Sequence, residues 1–382
     1  MILDYPNKRT RQQILEEAKP SSLLSVCGRE SDNKLIYGEN TGVLRALLDR
    51  YRGKIDLVYI DPPYGTNEKF TMSETRATSV SRGSGITAYD DKRTGSEYLE
   101  FIRERLVFLH ELLSDVGSIY VHIDYKVGHY VKVLMDEVFG IENYRNDIAR
   151  IKCNPKNFNR KAYGNIKDLI LFYSKSSRMV WNAPRVPYSA NDVERLFKKV
   201  DNNGRRYTTT PLHAPGETSN GKTGRKWRGM LPPEGRHWRV APEILDNWDR
   251  NGMIEWSKNG NPRKKIFLDE MEGKKVQDIW EYKDPAYPQY PTEKNIDLLK
   301  MIVSASSQPN SIVLDCFCGS GTTLAAAAEL GRNWIGIDES EVAINTCTKR
   351  LLNFELLHDE QKPAPVFGEN ADDSSRYNLP LL

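Results

Sequence analysis

Four consecutive residues, Asp61-Pro62-Pro63-Tyr64, bring together a carboxylate, a rigid turn without N–H groups and an aromatic ring. Asp61 and the Pro62 carbonyl can each accept one N–H, and the Tyr64 ring can stack on a flat face. Together these groups suit the gripping of a planar heterocycle by its exocyclic amino group. The bland reading is a simple turn, because Asp before Pro often only starts one.

A second set lies near the other end of the chain. Ser311 to Asp315 reads as a strand, Cys316-Phe317-Cys318-Gly319-Ser320-Gly321 as a glycine turn and Thr322 to Leu330 as an alanine-rich helix. Trp334 to Ile337 reads as a further strand with Asp338 at its tip. Glycines at a strand-to-helix turn let a ligand approach the backbone, and an acid at the tip of the next strand accepts hydrogen bonds from ribose hydroxyls. Leu324 stands where a dinucleotide fingerprint has its third glycine, and no Lys follows at P-loop spacing. A cofactor with a ribose but no pyrophosphate, such as S-adenosylmethionine, fits better than a nucleoside triphosphate.

The elements that must hold these residues are legible around them. Ile55 to Ile60, apolar and β-branched, predicts a buried strand that delivers Asp61 to its carboxyl end, where open α/β sheets bind ligands. Two prolines then force the chain out of the sheet. Lys34 to Tyr37 predicts a strand, and Val43 to Tyr51 a helix with a leucine stripe, giving a strand-helix-strand unit of a parallel sheet. An amphipathic helix is predicted from Tyr98 to Leu113, broken by Gly117. Strands follow at 118–124, 148–151 and 168–173, a helix lies between them from Gly128 to Val138, and another runs from Asn295 to Ala305. His122 reads as a packed strand residue.

Other stretches carry two readings each. Residues 71–96, rich in Ser, Thr and Gly, are either a lid over the site or a passive linker. Residues 153–165 place Phe158 and Tyr163 among Lys156, Arg160 and Lys161, which suits contact with nucleic acid or simply a solvated loop. Residues 183–285 hold five of the seven Trp and clusters of cations: Arg225, Lys226 and Arg228; Arg236 and Arg239; Arg263 and Lys264. This reads as a small module with a basic, aromatic-bearing surface for nucleic acid, against an ordinary insertion with a charge excess.

With 382 residues the chain holds one large domain with an insertion, or two domains. A net charge of +3 means that any affinity for nucleic acid comes from local clusters. The five cysteines show no zinc spacing and read as reduced, so no metal site is expected and the chain is placed in the cytoplasm. No stretch reaches the length of a membrane span, and the charged N-terminus is not a signal peptide.

Asp61-Pro62-Pro63-Tyr64, then Tyr290-Pro291-Thr292-Glu293-Lys294, then Asp315 to Thr323, then Gly336-Ile337-Asp338 together resemble the amino-methylating DNA methyltransferases. The catalytic motif precedes the cofactor motif, an order similar to the β class. The resemblance covers 34–175 and 286–352 in detail. It implies a Rossmann-like, doubly wound α/β fold with a mostly parallel seven-stranded sheet. The chain divides accordingly into an N-terminal arm (1–30), a polar helix and short apolar segment that packs on the body or on a second copy, a catalytic half (31–182), a target-recognition domain (183–285), a cofactor-binding half (286–356) and a C-terminal tail (357–382). The implied catalytic residues are Asp61, Pro62, Pro63 and Tyr64. The implied S-adenosylmethionine contacts are Glu39, Asn40, Thr292, Lys294, Asp315, Phe317, Gly319, Gly321, Thr322 and Asp338. Glu39 departs from the usual Asp at its place. Cys316 and Cys318 fall at variable positions and carry no chemistry.

The implied activity is methylation of adenine N6 in double-stranded DNA after base flipping, because relatives with Asp at the first motif position mostly modify adenine. Cytosine N4 is the alternative target. An RNA amino-methyltransferase, a non-catalytic DNA-binding subunit and a nicotinamide-dependent oxidoreductase are the further rivals. A restriction endonuclease is a candidate partner, and the class resemblance suggests a homodimer.

Overall fold

The computed structural model describes residues 2–358 apart from 22–23, 28–32, 65–68, 73–76, 79–85, 91–94, 156–158, 160, 219, 258–259, 287, 289 and 291–292. The chain forms two compact units, Met1–Ala183 with Gln277–Leu382, and Pro184–Val276. Thr292, Lys156, Arg160 and most of the expected C-terminal tail lie outside the described residues.

The first unit is organised by one mixed sheet. Its strands are β1 (Leu24–Cys27), β2 (Lys34–Tyr37), β3 (Ile55–Ile60), β4 (Leu113–Ile123), β5 (Tyr144–Ile151), β6 (Lys167–Ser174), β7 (Ile279–Trp280), β8 (Ile312–Asp315) and β9 (Asn333–Asp338), ordered β1-β2-β9-β8-β3-β4-β6-β5-β7. The pairs from β2 through β9, β8 and β3 to β4 are parallel, while β6 runs against both β4 and β5. The expected seven strands are the middle of this order. The sequence reading missed the pairing of a short strand at each edge, β1 antiparallel on β2 and β7 parallel on β5. Residues 277–285 therefore belong to the first unit and not to the inserted module.

Helices α2 (Asn40–Tyr51), α3 (Gly95–Leu112) and α4 (Gly128–Phe139) cover one face of the sheet, and Ile14 of α1 (Arg11–Glu17) joins the same core. On α2 the stripe Val43, Leu44, Leu47 and Leu48 is buried, each leucine contributing about 1.5–3 kcal/mol of transfer free energy. From β3, β4, β8 and β9 this core takes Val58, Ile60, Ile119, Val121, Leu314, Ile335 and Ile337. The alternate residues, Leu57, Tyr59, Tyr120, Val313 and Trp334, are equally buried and face the other way. There Tyr120 hydrogen-bonds Ser306 of α5 (Ile296–Ser306) at 2.7 Å, and α6 (Thr322–Glu329) and α7 (Glu341–His358) complete the unit.

Two expectations are corrected. Gly117 does not end a helix: α3 stops at Leu112 and runs straight into β4, where a Cβ on Gly117 would lie 2.9 Å from the Ile55 carbonyl. The stretch read as a loop at 71–96 carries paired strands, Lys69–Met72 with Ala77–Thr78 and Ile86–Asp90.

The second unit holds a four-stranded antiparallel sheet of Lys199–Val200, Arg206–Pro211, Pro262–Phe267 and Ile254–Trp256. Its core is Leu212, Trp227, Trp238, Leu245 and Ile254. The aromatic surface expected here is corrected accordingly: Trp227 and Trp238 are interior, and Trp280 sits in the first unit. Trp256 remains 41% exposed, stacked on Trp227 at 5.6 Å.

Candidate active site

Three neighbouring parallel strands, β3, β8 and β9, each deliver an acid to their carboxyl ends: Asp61, Asp315 and Asp338. All three line one cleft, together with Asn40, Tyr59, Pro63, Phe101, Arg105, Tyr290, Lys294, Phe317, Gly319, Ser320, Thr322 and Ser340. The strand tip and the glycine turn, far apart in sequence, are thus brought together.

Asp61 is already engaged. Tyr64 donates its hydroxyl to Oδ1 at 2.7 Å, and the Lys294 ammonium pairs with Oδ2. Burial and the Asp61 charge push the Tyr64 phenol well above its usual range, so the hydroxyl stays protonated and donating. Pro62 is buried, and Pro63 lines the cleft.

The glycine turn is held by the two other acids. Asp315 accepts the Phe317 N–H at 3.0 Å and the Thr323 hydroxyl at 2.6 Å. Asp338 accepts the Gly319 N–H and the Ser340 N–H, both at 2.9 Å. Burial drives both carboxyls up, Asp315 to about 7, with the neighbouring charges of Asp61 and Asp338 adding to it, and Asp338 to about 6. Gly319 (φ +50°) and Gly321 (φ +74°) occupy left-handed backbone. Gly319 faces the Tyr290 ring, whereas Gly321 starts α6 against Cys347 and does not line the cleft.

Asn40 is buried, donates to the Cys316 carbonyl at 3.0 Å and lines the cleft. Glu39 does not line it. Its carboxylate caps α2 through the Gly42 N–H at 3.0 Å and pairs with Arg105 at 2.6 Å. Phe317 lies edge-on to Phe101, with centroids 6.0 Å apart.

Two residues around the cleft, Arg105 and Arg350, are not among those expected from the sequence. Arg105 lies 3.6 Å above the Phe101 ring and bonds Asn40 at 2.6 Å; its place three residues after Ile102, on the buried stripe of α3, was the available signal. Arg350 bonds Thr322 at 2.6 Å and pairs with Glu293, tying the segment of Lys294 to the start of α6. Nothing local to Arg350 announces that.

The expected DNA-contacting cations have mixed settings. Arg225, Lys226, Arg236 and Arg239 are exposed on the second unit, and Lys161 is exposed on the first. Arg228 pairs with Asp249 at 2.5 Å, Arg263 bonds Thr209 at 2.9 Å and Lys264 lies 3.9 Å over the Trp248 ring. These three have structural partners, as do Arg236, 3.2 Å from Nδ1 of His213, and Arg239, which donates to the Pro211 carbonyl at 3.0 Å. No helix among the described residues is long and apolar enough to cross a membrane.

A family model for DNA methylases, N6_N4_Mtase, matches residues 55–349. The Type II methyltransferase M.EcaI of Enterobacter cloacae is 42% identical over 363 residues, spanning 92% of this chain and 77% of that one. The Type III restriction-modification enzyme EcoPI Mod subunit of Escherichia phage P1 is 25% identical over 414 residues, spanning 87% of this chain and 62% of that one. Among solved structures, that of the M1.HpyAVI-SAM complex covers 83% of this chain and 98% of that chain, with a TM-score of 0.42 and 18% identity.

Proposed function

The chain belongs to the N6_N4 DNA methylase family, and on that premise we propose that it transfers a methyl group from S-adenosylmethionine to adenine N6 in duplex DNA. The observation that carries this reading is the single cleft shared by Asp61, its partner Lys294 and the Gly319 turn.

The residues of the cleft fit the cofactor. Asp338, at the tip of β9, keeps lone pairs for ribose hydroxyls beyond the two N–H groups it already accepts. Phe317, Phe101 and Pro63 supply apolar contact, and Asn40 with its Arg105 partner supplies polar groups at the cleft wall. Asp338, once ionised above about 6, favours a positively charged ligand. When bound, S-adenosylmethionine supplies an electrophilic methyl carbon.

The chain's own residues do the rest by positioning and electrostatics. An exocyclic amino nitrogen is a poor nucleophile because its lone pair is delocalised into the ring. Accepting one N–H at Asp61 and the other at the Pro62 carbonyl favours a pyramidal nitrogen with an available lone pair. A carboxylate accepts at about four lone-pair sites, so Asp61 can take an amino N–H while keeping Tyr64 and Lys294. An amino nitrogen that gains a methyl group must shed one proton, and Asp61 would be the acceptor beside it, the bound cofactor's sulfur keeping the electron pair of the bond that breaks. The target atom is hidden in a duplex, so the base must be extruded, and the Tyr64 ring, fixed through its hydroxyl, is offered for stacking.

Exposed Arg225, Lys226, Arg236 and Arg239 support a target-recognition role for residues 184–276. A cognate endonuclease, a homodimer and a cytoplasmic setting complete the proposal. Incubating the purified chain with duplex DNA and methyl-labelled cofactor, then digesting to nucleosides, should yield labelled N6-methyladenine, and Asp61→Ala should abolish it while still binding cofactor. Labelled N4-methylcytosine would overturn the adenine assignment, and label confined to an RNA competitor would overturn DNA as the substrate.

A further inference from the structure

On the sheet face opposite α2–α4, a row of buried polar side chains crosses consecutive strands. Tyr59 of β3 hydrogen-bonds Nδ1 of His122 on β4 at 2.8 Å, and Nε2 of His122 lies 3.4 Å from Oδ2 of Asp168 on β6. Asp168 accepts from Lys152 at 2.6 Å and lies 3.6 Å from Arg150 on β5. Arg150 in turn donates to the Tyr282 carbonyl at 2.7 Å and to Asp284 at 2.5 Å. His122 and Arg150 are fully buried, and Tyr59 and Asp168 are each 2% exposed.

Such a row is expensive for what it adds to stability. Apolar residues of similar volume in place of a buried ion pair are often neutral or stabilising, so packing alone does not explain it. Its two ends explain it better. Tyr59 lines the cleft together with Asp61, which follows the last residue of the same strand. Arg150 holds residues 282–284; the Lys283 carbonyl accepts from Asn295 at 3.1 Å, and Asn295 follows Lys294 directly. The row thus runs from the strand of the proposed catalytic acid to the segment of that acid's cationic partner.

We propose that His122 is a positioning residue for methyl transfer, which accepts the hydroxyl hydrogen bond of Tyr59 and so locks Tyr59 as a lone-pair-bearing wall of the cleft beside Asp61. The direction of the bonds follows from Asp168. An ionised carboxylate only accepts, so Nε2 carries the imidazole proton, Nδ1 is the acceptor and the tyrosine is the donor. Burial holds His122 neutral, which keeps Nδ1 available. With its proton committed to His122, the Tyr59 oxygen has only lone pairs left for the cleft, where positive charge gathers during the transfer. This inference rests on the methyl-transfer reading above.

The test is single-turnover transfer by the full chain at saturating cofactor and DNA, with separate titrations of cofactor and duplex binding. Tyr59→Phe keeps the ring and removes the hydroxyl; His122→Leu removes both bonds; His122→Asn keeps an acceptor near the place of Nδ1. Tyr59→Phe and His122→Leu should each slow transfer about tenfold or more, the worth of one orienting hydrogen bond, with both affinities within about twofold. The double variant should be no slower than the worse single one, and His122→Asn should recover most of the rate. A Tyr59→Phe enzyme at wild-type rate, or fully additive losses in the double variant, overturns the role of His122. Should His122→Leu fail to fold, Tyr59→Phe and His122→Asn decide between the outcomes alone. A wild-type chain that transfers nothing to DNA overturns the functional reading itself, which separates that failure from this one.

Discussion

Lys294 and Asp61 form an ion pair at the cleft, although 233 positions separate them in the sequence. Their side chains are 9% and 15% exposed, so neither charge is well solvated without the other. Removing one partner of such a pair leaves a buried charge uncompensated, at a cost of about 3 kcal/mol or more, whereas neutralising both is far milder. Lys294→Met should therefore lower the free energy of unfolding in urea by about that amount, and adding Asp61→Asn should restore most of it. Equal losses in the single and double variants would mean that the pair is no unit.

The raised carboxyls give cofactor binding and stability opposite responses to pH. Asp338 near 6 and Asp315 near 7 both stand above their ordinary 3.8 because of burial. In the unfolded chain they ionise near pH 4, and in the folded chain only near 6 and 7. Over that window the unfolded state binds fewer protons, so stability falls as pH rises from about 4 to 7 and then levels. If Asp338 holds the ribose hydroxyls as proposed, it accepts best when ionised, so cofactor affinity should rise over pH 5.5 to 7.5 with release of protons. Calorimetric titration in buffers of different ionisation enthalpy measures that release. Affinity independent of pH across this range, with no proton exchange, would remove Asp338 from the ribose.

The features legible in the sequence are those written locally. Asp61, Asp315 and Asp338 each follow a short apolar strand, and a strand tip is set by its own residues. The turn at Gly319 is equally local. What stayed hidden depends on partners distant in sequence. Arg350 looks like a solvated helix charge until Glu293 arrives beside it, and Arg105, though on the apolar stripe of α3, shows its role only with Glu39 and Asn40 in place. His122 reads as a strand residue because Asp168 belongs to another strand. Composition counted the tryptophans of the inserted unit but could not assign Trp227 and Trp238 to its interior. The Ser, Thr and Gly stretch before α3 lacks a clear period of two, so its pairing was not visible.

Gly321 separates steric cost from backbone cost. Its φ of +74° is left-handed, and a Cβ there would lie 2.3 Å from the Cys347 sulfur. Gly321→Ala should destabilise the protein by about 2 kcal/mol or more, combining about 1–2 kcal/mol of left-handed strain with the overlap. Adding Cys347→Ala removes the sulfur and with it the worst of the overlap, leaving the Cβ at 3.2 Å, so part of the loss should return and part persist. Complete recovery in thermal melts would show that the backbone conformation is not the constraint.

In the inserted unit, the exposed cations and the buried indoles should respond in opposite ways. Arg225 and Lys226 are exposed beside Trp227, whose ring belongs to the core of the unit while its Nε1 donates to the half-exposed Asp246 at 2.8 Å. Replacing both cations with Ala should leave the melting temperature unchanged and weaken binding to all duplex sequences alike. If both touch phosphates, the slope of log K against log salt should fall by about two. Trp227→Ala should instead cost about 3–5 kcal/mol of local stability, by removing the largest fully buried side chain, and should increase hydrogen exchange within 184–276. An unchanged salt slope in the double cation variant would exclude these two residues from the DNA-contacting surface, and the search would then move to Arg236 and Arg239.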